Sequence, residues 1–224
     1  MEVFLTILGT IIAISTTICI EYLRRPHLKL SIGPSEDDYY DDRPAKHKRA
    51  IRLKVENLPL PKWASLMLRN PALQCGGYIT FHHIDGQNVF GRSMVIRWPD
   101  SPQPIPSTFE IDGKKGYIVD PTSLTLEQRI DVFPGENANI DVACRYDNDE
   151  ECYGWNNESY FSDPPWRNPS WKLSKERYLV YITIVSSGQK CTGLFRLIND
   201  VGIKDFRLEN ALPKDYDNLK NVYR

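Results

Sequence analysis

The chain has 224 residues, of which 41% are hydrophobic and 25% charged, and its net charge is −1 at pH 7. This length accommodates one large domain, or two small ones, plus a short appendage. The balance of 28 basic and 29 acidic residues argues against a nucleic-acid-binding protein, because such domains carry a basic excess. The 12 Tyr, 5 Trp and 16 Pro favour strands and ordered loops over a helical bundle.

The N-terminal segment, residues 3–20, carries no charge and is rich in isoleucine. As a helix it would span about 27 Å, close to the roughly 30 Å of a bilayer core. Tyr22 suits the headgroup layer, and Arg24 and Arg25 can extend their charges into water. We therefore predict a transmembrane anchor and flank over residues 1–25. Residues 3–20 are expected to contact lipid, with Tyr22, Arg24 and Arg25 at the membrane interface.

A cleaved signal peptide is the alternative interpretation of this segment. Signal peptides carry basic residues before the apolar run and small residues at a cleavage site after it. Here only Met and Glu precede the run, and no such cleavage site follows, so we expect an uncleaved anchor. Arg24, Arg25 and Lys29 all follow the helix, and basic flanks stay cytoplasmic. This predicts a single-pass membrane protein with its N-terminus outside and its domain in the cytoplasm.

The cysteines leave the compartment open. Cys19 lies in the apolar segment, and Cys75, Cys144, Cys152 and Cys191 are widely spaced in the rest of the chain, with no CxxC pair. In an oxidising compartment these four could form two disulfides. In the cytoplasm they would remain free thiols.

Alternation of apolar and polar residues predicts a β domain over residues 26–212. The alternation begins at residues 28–32, Asp85-Gly86 is a hairpin signal, and residues 178–185 are apolar on both faces, as in a central strand. About seven to nine strands with turns between them are typical of an antiparallel β-sandwich, and we expect an immunoglobulin-like arrangement. Residues 213–224 are predicted to be a charged, loosely held tail.

Residues 147–172 form a long polar and aromatic insertion without periodicity. Loops of this length inside a compact domain are functional or disordered, and the aromatic content favours order. Aromatic residues and arginine often anchor protein interfaces. The candidate partner surface consists of Tyr153, Trp155, Tyr160, Phe161, Trp166, Arg167 and Trp171. Two interpretations stay open: these side chains contact a partner, or the rings fold back and fill an open end of the sandwich.

Motifs for catalysis, cofactors and metals are missing from the sequence. It contains neither a G-x-S-x-G nucleophile elbow nor a Gly-rich phosphate loop. His82 and His83 are neighbours on a predicted strand, so they point to opposite faces and cannot share one metal ion. The acidic run at 36–42 lacks the spacing of a calcium loop. We therefore expect no enzyme activity, no cofactor and no metal.

The expected function is a membrane-anchored binding module that presents its sandwich near the cytoplasmic membrane face to a protein partner. Strand-like alternation from Leu28 leaves almost no spacer after the helix, so the partner should lie close to the membrane. One alternative is an extracytoplasmic sandwich with disulfides that binds glycan or a surface protein. Another is an enzyme whose site is assembled from scattered residues. Gly9 and Ala13 permit close helix approach, but the sequence predicts no particular oligomeric state.

Overall fold

The computed structural model describes residues 2–40, 43–64, 67–100, 107–118, 128–147, 149–162 and 166–222. The first element is helix α1, Glu2–Arg24, and its stretch Thr6–Arg24 has a mean hydropathy of 1.7 with none of it buried. The predicted apolar helix is thereby confirmed. Its length and composition suit a membrane span, although a signal sequence has the same properties.

Two antiparallel sheets follow the helix. With strands numbered in chain order, the first sheet contains β1 (Leu28–Ile32), β2 (Glu36–Tyr40), β3 (Arg43–Asn57), β9 (Asn137–Tyr146), β10 (Cys152–Gly154) and β11 (Lys172–Leu173). Its order is β1-β3-β9-β10-β11, with β2 also paired to β3. Because β1 pairs with residues 53–57 and β2 with residues 43–50, these two strands lie end to end along one edge of β3.

The second sheet has the order β14-β13-β12-β4-β5, with β8 beside β4. Its strands are β4 (Ala72–His83), β5 (Met94–Val95), β8 (Ile130–Val132), β12 (Arg177–Ser186), β13 (Gln189–Ile198) and β14 (Arg207–Asn210). A separate hairpin joins β6 (Ser107–Ile111) to β7 (Lys114–Ile118). Strand β12 lies between β4 and β13, which confirms the central strand expected at 178–185. The chain also reverses after β4 at Gly86, as the Asp85-Gly86 signal predicts.

The main hydrophobic core lies between the two sheets, as in a β-sandwich. Fully buried side chains come from both layers: Leu53, Val55 and Ile140 from the first sheet, and Phe81 and Ile182 from the second. Each such side chain contributes roughly 1.5–3 kcal/mol through its removal from water. This core confirms the predicted mainly β, sandwich-like fold.

The C-terminal segment differs from the predicted loose tail. Residues Pro213–Val222 form a second helix, α2, which packs on the outer face of the second sheet through Leu219. Asp215 is fully buried, and both of its oxygens accept hydrogen bonds from Arg196, at 2.6 and 2.7 Å. The backbone N–H of Leu212 also donates to this carboxylate, at 2.7 Å. The helix is therefore held by a bidentate ion pair as well as by apolar packing.

Docking of α2 should depend on pH. Burial is the largest single influence on the pKa of Asp215 and acts to raise it. The hydrogen bonds from Arg196 and the Leu212 N–H, together with the positive charges of Arg196 and Lys214, outweigh burial, so the pKa lies below its ordinary value. A lowered pKa stabilises the fold above the unfolded-state value of about 3.9, and this stability is lost as the pH falls through the folded-state pKa. We expect Asp215→Asn to lower the free energy of unfolding at pH 7 by about 3 kcal/mol. It should also flatten the acid side of the stability profile, measured by urea unfolding between pH 7 and pH 2.

Asp217→Asn is the matched control, because the side chain of Asp217 lies on the same helix and is 74% exposed. It should leave both the unfolding midpoint and its pH dependence unchanged. Equal unfolding profiles for Asp215→Asn and Asp217→Asn would contradict the role of the ion pair.

Candidate functional site

The junction between α1 and the β domain is held by backbone hydrogen bonds. The carbonyl of Arg24 accepts from the N–H of Asn70 at 2.7 Å, and the carbonyl of His27 accepts from Leu58 at 2.9 Å. A side-chain N–H of Arg69 donates to the carbonyl of Arg25 at 2.5 Å. Since only three residues separate α1 from β1, the helix meets the domain without a flexible spacer.

Asn57 organises this junction from inside the domain. It is fully buried, and its side-chain Oδ1 accepts from the N–H of His27 at 3.0 Å. Its Nδ2 donates to the carbonyls of Asn70 and Val132, each at 3.1 Å. One amide therefore links the exit of α1, the β3–β4 loop and the end of β8.

The predicted membrane-interface residues lie together at the end of α1. Tyr22 is 67% exposed, and the guanidinium carbon of Arg25 lies 5.7 Å from the centre of its ring. Arg24 contacts Glu21 at 3.4 Å. Earlier in the helix, Thr10 and Thr17 donate their hydroxyls to carbonyls four residues back, at 2.9 Å. These bonds let hydroxyl groups enter an apolar medium at low cost.

The aromatic insertion folds back onto the outer face of the first sheet. Trp155 and Tyr153 are only 6% and 7% exposed, and they form a second hydrophobic cluster with Cys144, Tyr146 and Ala50. Their placement follows from strand alternation, since Cys152 faces the main core and Tyr153 faces the other side. The rings thus cover a sheet face, whereas the fold-back interpretation expected them at an open end.

The other predicted surface residues are divided between packing and partial exposure. Trp171 is 2% exposed and belongs to the main core, whereas Tyr160 and Trp166 are partly buried against the second cluster. Arg167 is partly exposed and donates to Asp149 at 2.7 Å. The side chain of Phe161 lies outside the described residues. In this arrangement a partner can reach parts of Tyr160, Trp166 and Arg167, and their role as a binding surface stays a prediction.

Cationic groups lie over the rings of the second cluster. The Lys48 ammonium is 5.0 Å from the centre of the Trp155 ring, and the Arg167 guanidinium carbon is 4.5 Å from that of Tyr146. Each such contact is worth about 0.5–2 kcal/mol, with the higher values for desolvated pairs. These cations therefore help to fasten the insertion to the sheet.

A buried ion pair lies beneath the insertion. The side chains of Arg97 and Asp141 are each 3% exposed, and Arg97 donates through Nη1 to Asp141, which also accepts from Arg52 Nε at 2.8 Å. The Nε and Nη2 of Arg97 have no hydrogen-bond partner among the described residues, and its guanidinium carbon lies 5.1 Å from the centre of the Tyr160 ring. Asp141 is thus the charged partner on which the buried Arg97 depends.

The ion pair also marks the point where the chain passes between the sheets. Met94 pairs with Ile79 in the second sheet, and Arg97, three residues later, pairs with Asp141 on β9 of the first. The backbone N–H of Asp141 donates to the carbonyl of Arg97 at 3.0 Å. The two residues therefore connect the layers through backbone and side chain together.

Removing Asp141 should be costly because it leaves a buried arginine unpaired. We expect Asp141→Ala to lower the free energy of unfolding by about 3–5 kcal/mol. The double variant Asp141→Leu with Arg97→Met should recover most of that loss, since apolar side chains of similar size can replace a buried pair. Urea unfolding followed by tryptophan fluorescence measures both effects.

Glu150→Ala is the control for this experiment. It breaks an exposed ion pair with Lys175 and should leave the unfolding midpoint unchanged. A double variant no more stable than Asp141→Ala would show that the loss has another cause than the unpaired charge.

A groove lies on the outer face of the second sheet, beside α2. Its volume is about 540 Å³, and its mostly apolar walls include Tyr78, Tyr181, Leu194, Tyr216 and Leu219. Tyr78 and Tyr216 are 41% and 48% exposed. Lys190 and Lys220 add positive charge to the rim of this Tyr–Lys groove. Sequence reasoning missed the groove because one wall belongs to α2. The spacing of Tyr216 and Leu219, three residues apart, is the signal that could have suggested a helical face there.

Histidine and cysteine side chains are dispersed through the fold. His82 is buried, and its ring nitrogens lie 2.8 Å from the Gly86 carbonyl and from the Thr80 hydroxyl. His83 is partly exposed. The two side chains therefore point to opposite faces of β4, as predicted.

All five cysteines are free thiols. Burial raises the pKa of Cys75 to about 11, which keeps that thiol protonated and unreactive. Within the described ranges, no group of three or more His, Cys, Asp or Glu side chains is placed to hold a metal ion.

No protein-family model, curated protein or solved structure matches the chain. Function is therefore inferred from the chemistry and geometry of the residues themselves. The features that point outward from the fold are the uncovered helix α1, the junction at its end and the Tyr–Lys groove.

Proposed function

We propose that the chain is a single-pass, membrane-anchored binding module that holds its β domain at the cytoplasmic face and binds a membrane-proximal protein partner. The observation that carries this proposal is that α1 is 23 residues long and apolar, and its stretch Thr6–Arg24 is not buried against the described part of the domain. An apolar helix of this length is unfavourable in water, and a bilayer core removes it from water over a matching thickness.

The charge distribution supports the orientation. Arg24 ends α1 on the domain side, Arg25 and Lys29 follow it, and basic flanks are retained in the cytoplasm. The free thiols agree with a reducing compartment. The hydrogen-bonded junction keeps the domain close to the membrane surface, so its partner must also lie there.

The strand order supports an immunoglobulin-like arrangement of the sandwich as part of this proposal. In such folds the second strand pairs with the first and the fifth, while the third pairs with the sixth and the sixth with the seventh. Here β3 lies between β1 and β9, and β12 lies between β4 and β13. The short strands β10 and β11 beside β9 are an addition at the edge of the first sheet. Folds of this kind frequently present binding surfaces but do not specify a ligand.

The Tyr–Lys groove is the partner surface that the geometry favours. Exposed tyrosines supply large, rigid contact area, and apolar concavities with a few polar groups at the rim are typical binding sites. Lys190 and Lys220 would attract a carboxylate, so we infer a partner segment that combines an apolar anchor with an acidic residue. The partly exposed Tyr160, Trp166 and Arg167 form a smaller second surface on the opposite sheet.

The anchor and its orientation can be tested by labelling with a membrane-impermeant thiol reagent. Cys19 and Cys191 would be replaced by Ala, and the buried Cys75, Cys144 and Cys152 kept because their thiols are inaccessible. A single cysteine is then introduced by Lys175→Cys in the domain or by Glu2→Cys at the N-terminus. In intact cells we expect labelling of the Glu2→Cys form, and labelling of the Lys175→Cys form only after the membrane is opened.

The opposite labelling pattern would place the domain outside the cytoplasm and favour the extracytoplasmic alternative. Loss of the chain from membranes washed with alkaline carbonate would contradict the anchor itself. Each variant is first checked for an unchanged circular-dichroism spectrum, so that a misfolded chain is not mistaken for a changed topology.

Partner binding at the Tyr–Lys groove can be tested by a photo-crosslinking amino acid at position 216 in intact membranes. We expect a discrete crosslinked protein whose yield falls several-fold in the double variant Lys190→Glu with Lys220→Glu, because reversed rim charge slows association. Lys175→Glu, an exposed charge change elsewhere on the domain, should leave the yield unchanged. An equal yield in all three chains would contradict the groove as the partner surface.

A further inference from the structure

Large apolar side chains are exposed at the end of the domain from which α1 leaves. Leu68 is 81% exposed and Trp63 is 74% exposed, the two highest values for large hydrophobic residues described outside α1. Phe133 is 50% exposed. Single exposed hydrophobic residues are common on protein surfaces. Three at one end of a domain, two of them almost uncovered, indicate a surface that another apolar phase covers.

Hydrogen bonds hold both ends of the loop that carries Trp63 and Leu68 at the exit of α1. Trp63 and Leu68 lie in the loop between β3 and β4, of which the structure describes residues 58–64 and 67–71; these two stretches are here called the base loop. Asn70 and Arg69, the two residues after Leu68, donate to the carbonyls of Arg24 and Arg25. The base loop therefore meets the chain where α1 ends.

Phe133 belongs to the same end through Asn57. The neighbouring Val132 carbonyl accepts from Asn57 Nδ2 at 3.1 Å, and the Gly135 N–H donates to the Asn57 carbonyl at 2.7 Å. Asn57 in turn accepts from the N–H of His27, three residues beyond α1. The Phe133 turn and the base loop are thus tied to the helix exit by one buried residue.

We propose that the base loop and Phe133 dip into the interfacial layer of the bilayer that α1 crosses, forming a second lipid contact of the domain. This inference rests on the proposed membrane anchor. Tryptophan prefers the headgroup region because its ring is apolar and its N–H can be hydrated. Lipid, rather than a protein, is the occupant because the segments that carry the exposed side chains are hydrogen-bonded to the end of an apolar helix of membrane length.

The local charges are compatible with a lipid surface. Among the described residues, five cationic side chains belong to the segments that meet at this end: Arg24, Arg25, Lys29, Lys62 and Arg69. Four described carboxylates accompany them: Glu21, Glu56, Asp131 and Glu136. Asp131 already accepts from the Gln74 N–H at 2.8 Å. The excess of one positive charge predicts only a weak preference for anionic lipid. The contact therefore depends mainly on its apolar side chains.

Quenching of tryptophan fluorescence by brominated lipid tests the contact. The full chain is reconstituted alone into phosphatidylcholine vesicles containing phosphatidylserine, with bromine on the acyl carbons nearest the headgroup. Trp98, Trp155 and Trp171 are buried, and Trp166 is partly buried on the outer face of the first sheet, so lipid should quench Trp63 selectively. We expect Trp63→Phe to remove more than half of the quenching, and the control Trp166→Phe to leave it unchanged.

Leu68→Ser provides a second variant in which the reporter is retained. Because this substitution removes an apolar side chain that the proposal places in contact with lipid, the base loop should lie less deeply in the bilayer. Quenching of Trp63 should then fall without a change in the circular-dichroism spectrum. Equal quenching in the wild-type and Trp63→Phe chains, with both retained in floated vesicles, would overturn the second contact while leaving the anchor intact. Failure of the chain to float after a carbonate wash would instead overturn the anchor, and this inference with it.

Discussion

The buried amide of Asn57 is the interaction on which the arrangement of helix, loop and sheets depends. A buried amide is costly unless its donors and acceptor are satisfied, and here one N–H and two carbonyls satisfy it. These partners belong to segments that are distant in the chain, and the amide binds all three of them at one point. The backbone of Asn57 adds bonds to Gly135 and Glu136. A hydrophobic residue at this position would leave all three side-chain partners without their bonds, each at a cost of about 1–3 kcal/mol.

The two sheets that extend from the Asn57 end of the domain have different outer faces. The first sheet is covered by its own aromatic insertion, which is fastened by cations above the rings and by the Arg97–Asp141 pair beneath. The second sheet is only partly covered, since α2 packs along it and leaves a groove. The same chain therefore closes one face by internal packing and leaves the other available. This asymmetry is the physical reason for the proposal that a partner binds on the second sheet.

Local sequence patterns predict the elements whose own residues carry an alternation, a continuous apolar run or a turn signal. Strand β1 occupies the alternating residues 28–32, the turn follows Asp85-Gly86, and the doubly apolar 178–185 lies within the central strand β12. Helix α2 escapes such prediction because Pro213–Val222 is short and mostly polar, so its stability comes from the Asp215–Arg196 pair and from packing against the sheet.

The position of the aromatic insertion is also beyond sequence reasoning. Its rings pack where the small Ala50 and Cys144 leave room on neighbouring strands, and that neighbourhood is created only by pairing β3 with β9. The Arg97–Asp141 contact likewise joins residues 44 apart in the chain. Contacts between residues so far apart in the chain leave no trace in local periodicity. By contrast, the short distance in sequence between the apolar helix and Leu28 already predicts a short connection.

The short, hydrogen-bonded connection between α1 and β1 couples the orientation of the helix to that of the whole β domain. A flexible linker would let the domain turn independently, but here the connection has only three residues, and two of them, Arg25 and His27, are hydrogen-bonded to the domain. A rotation of the helix is therefore passed on to the domain. If α1 rotates about its axis in a bilayer, the β domain must rotate with it. The groove beside α2 then faces a different direction in the plane of the membrane. A second helix that packs against one face of α1, such as the face bearing Gly9 and Ala13, would therefore fix the direction in which that groove points.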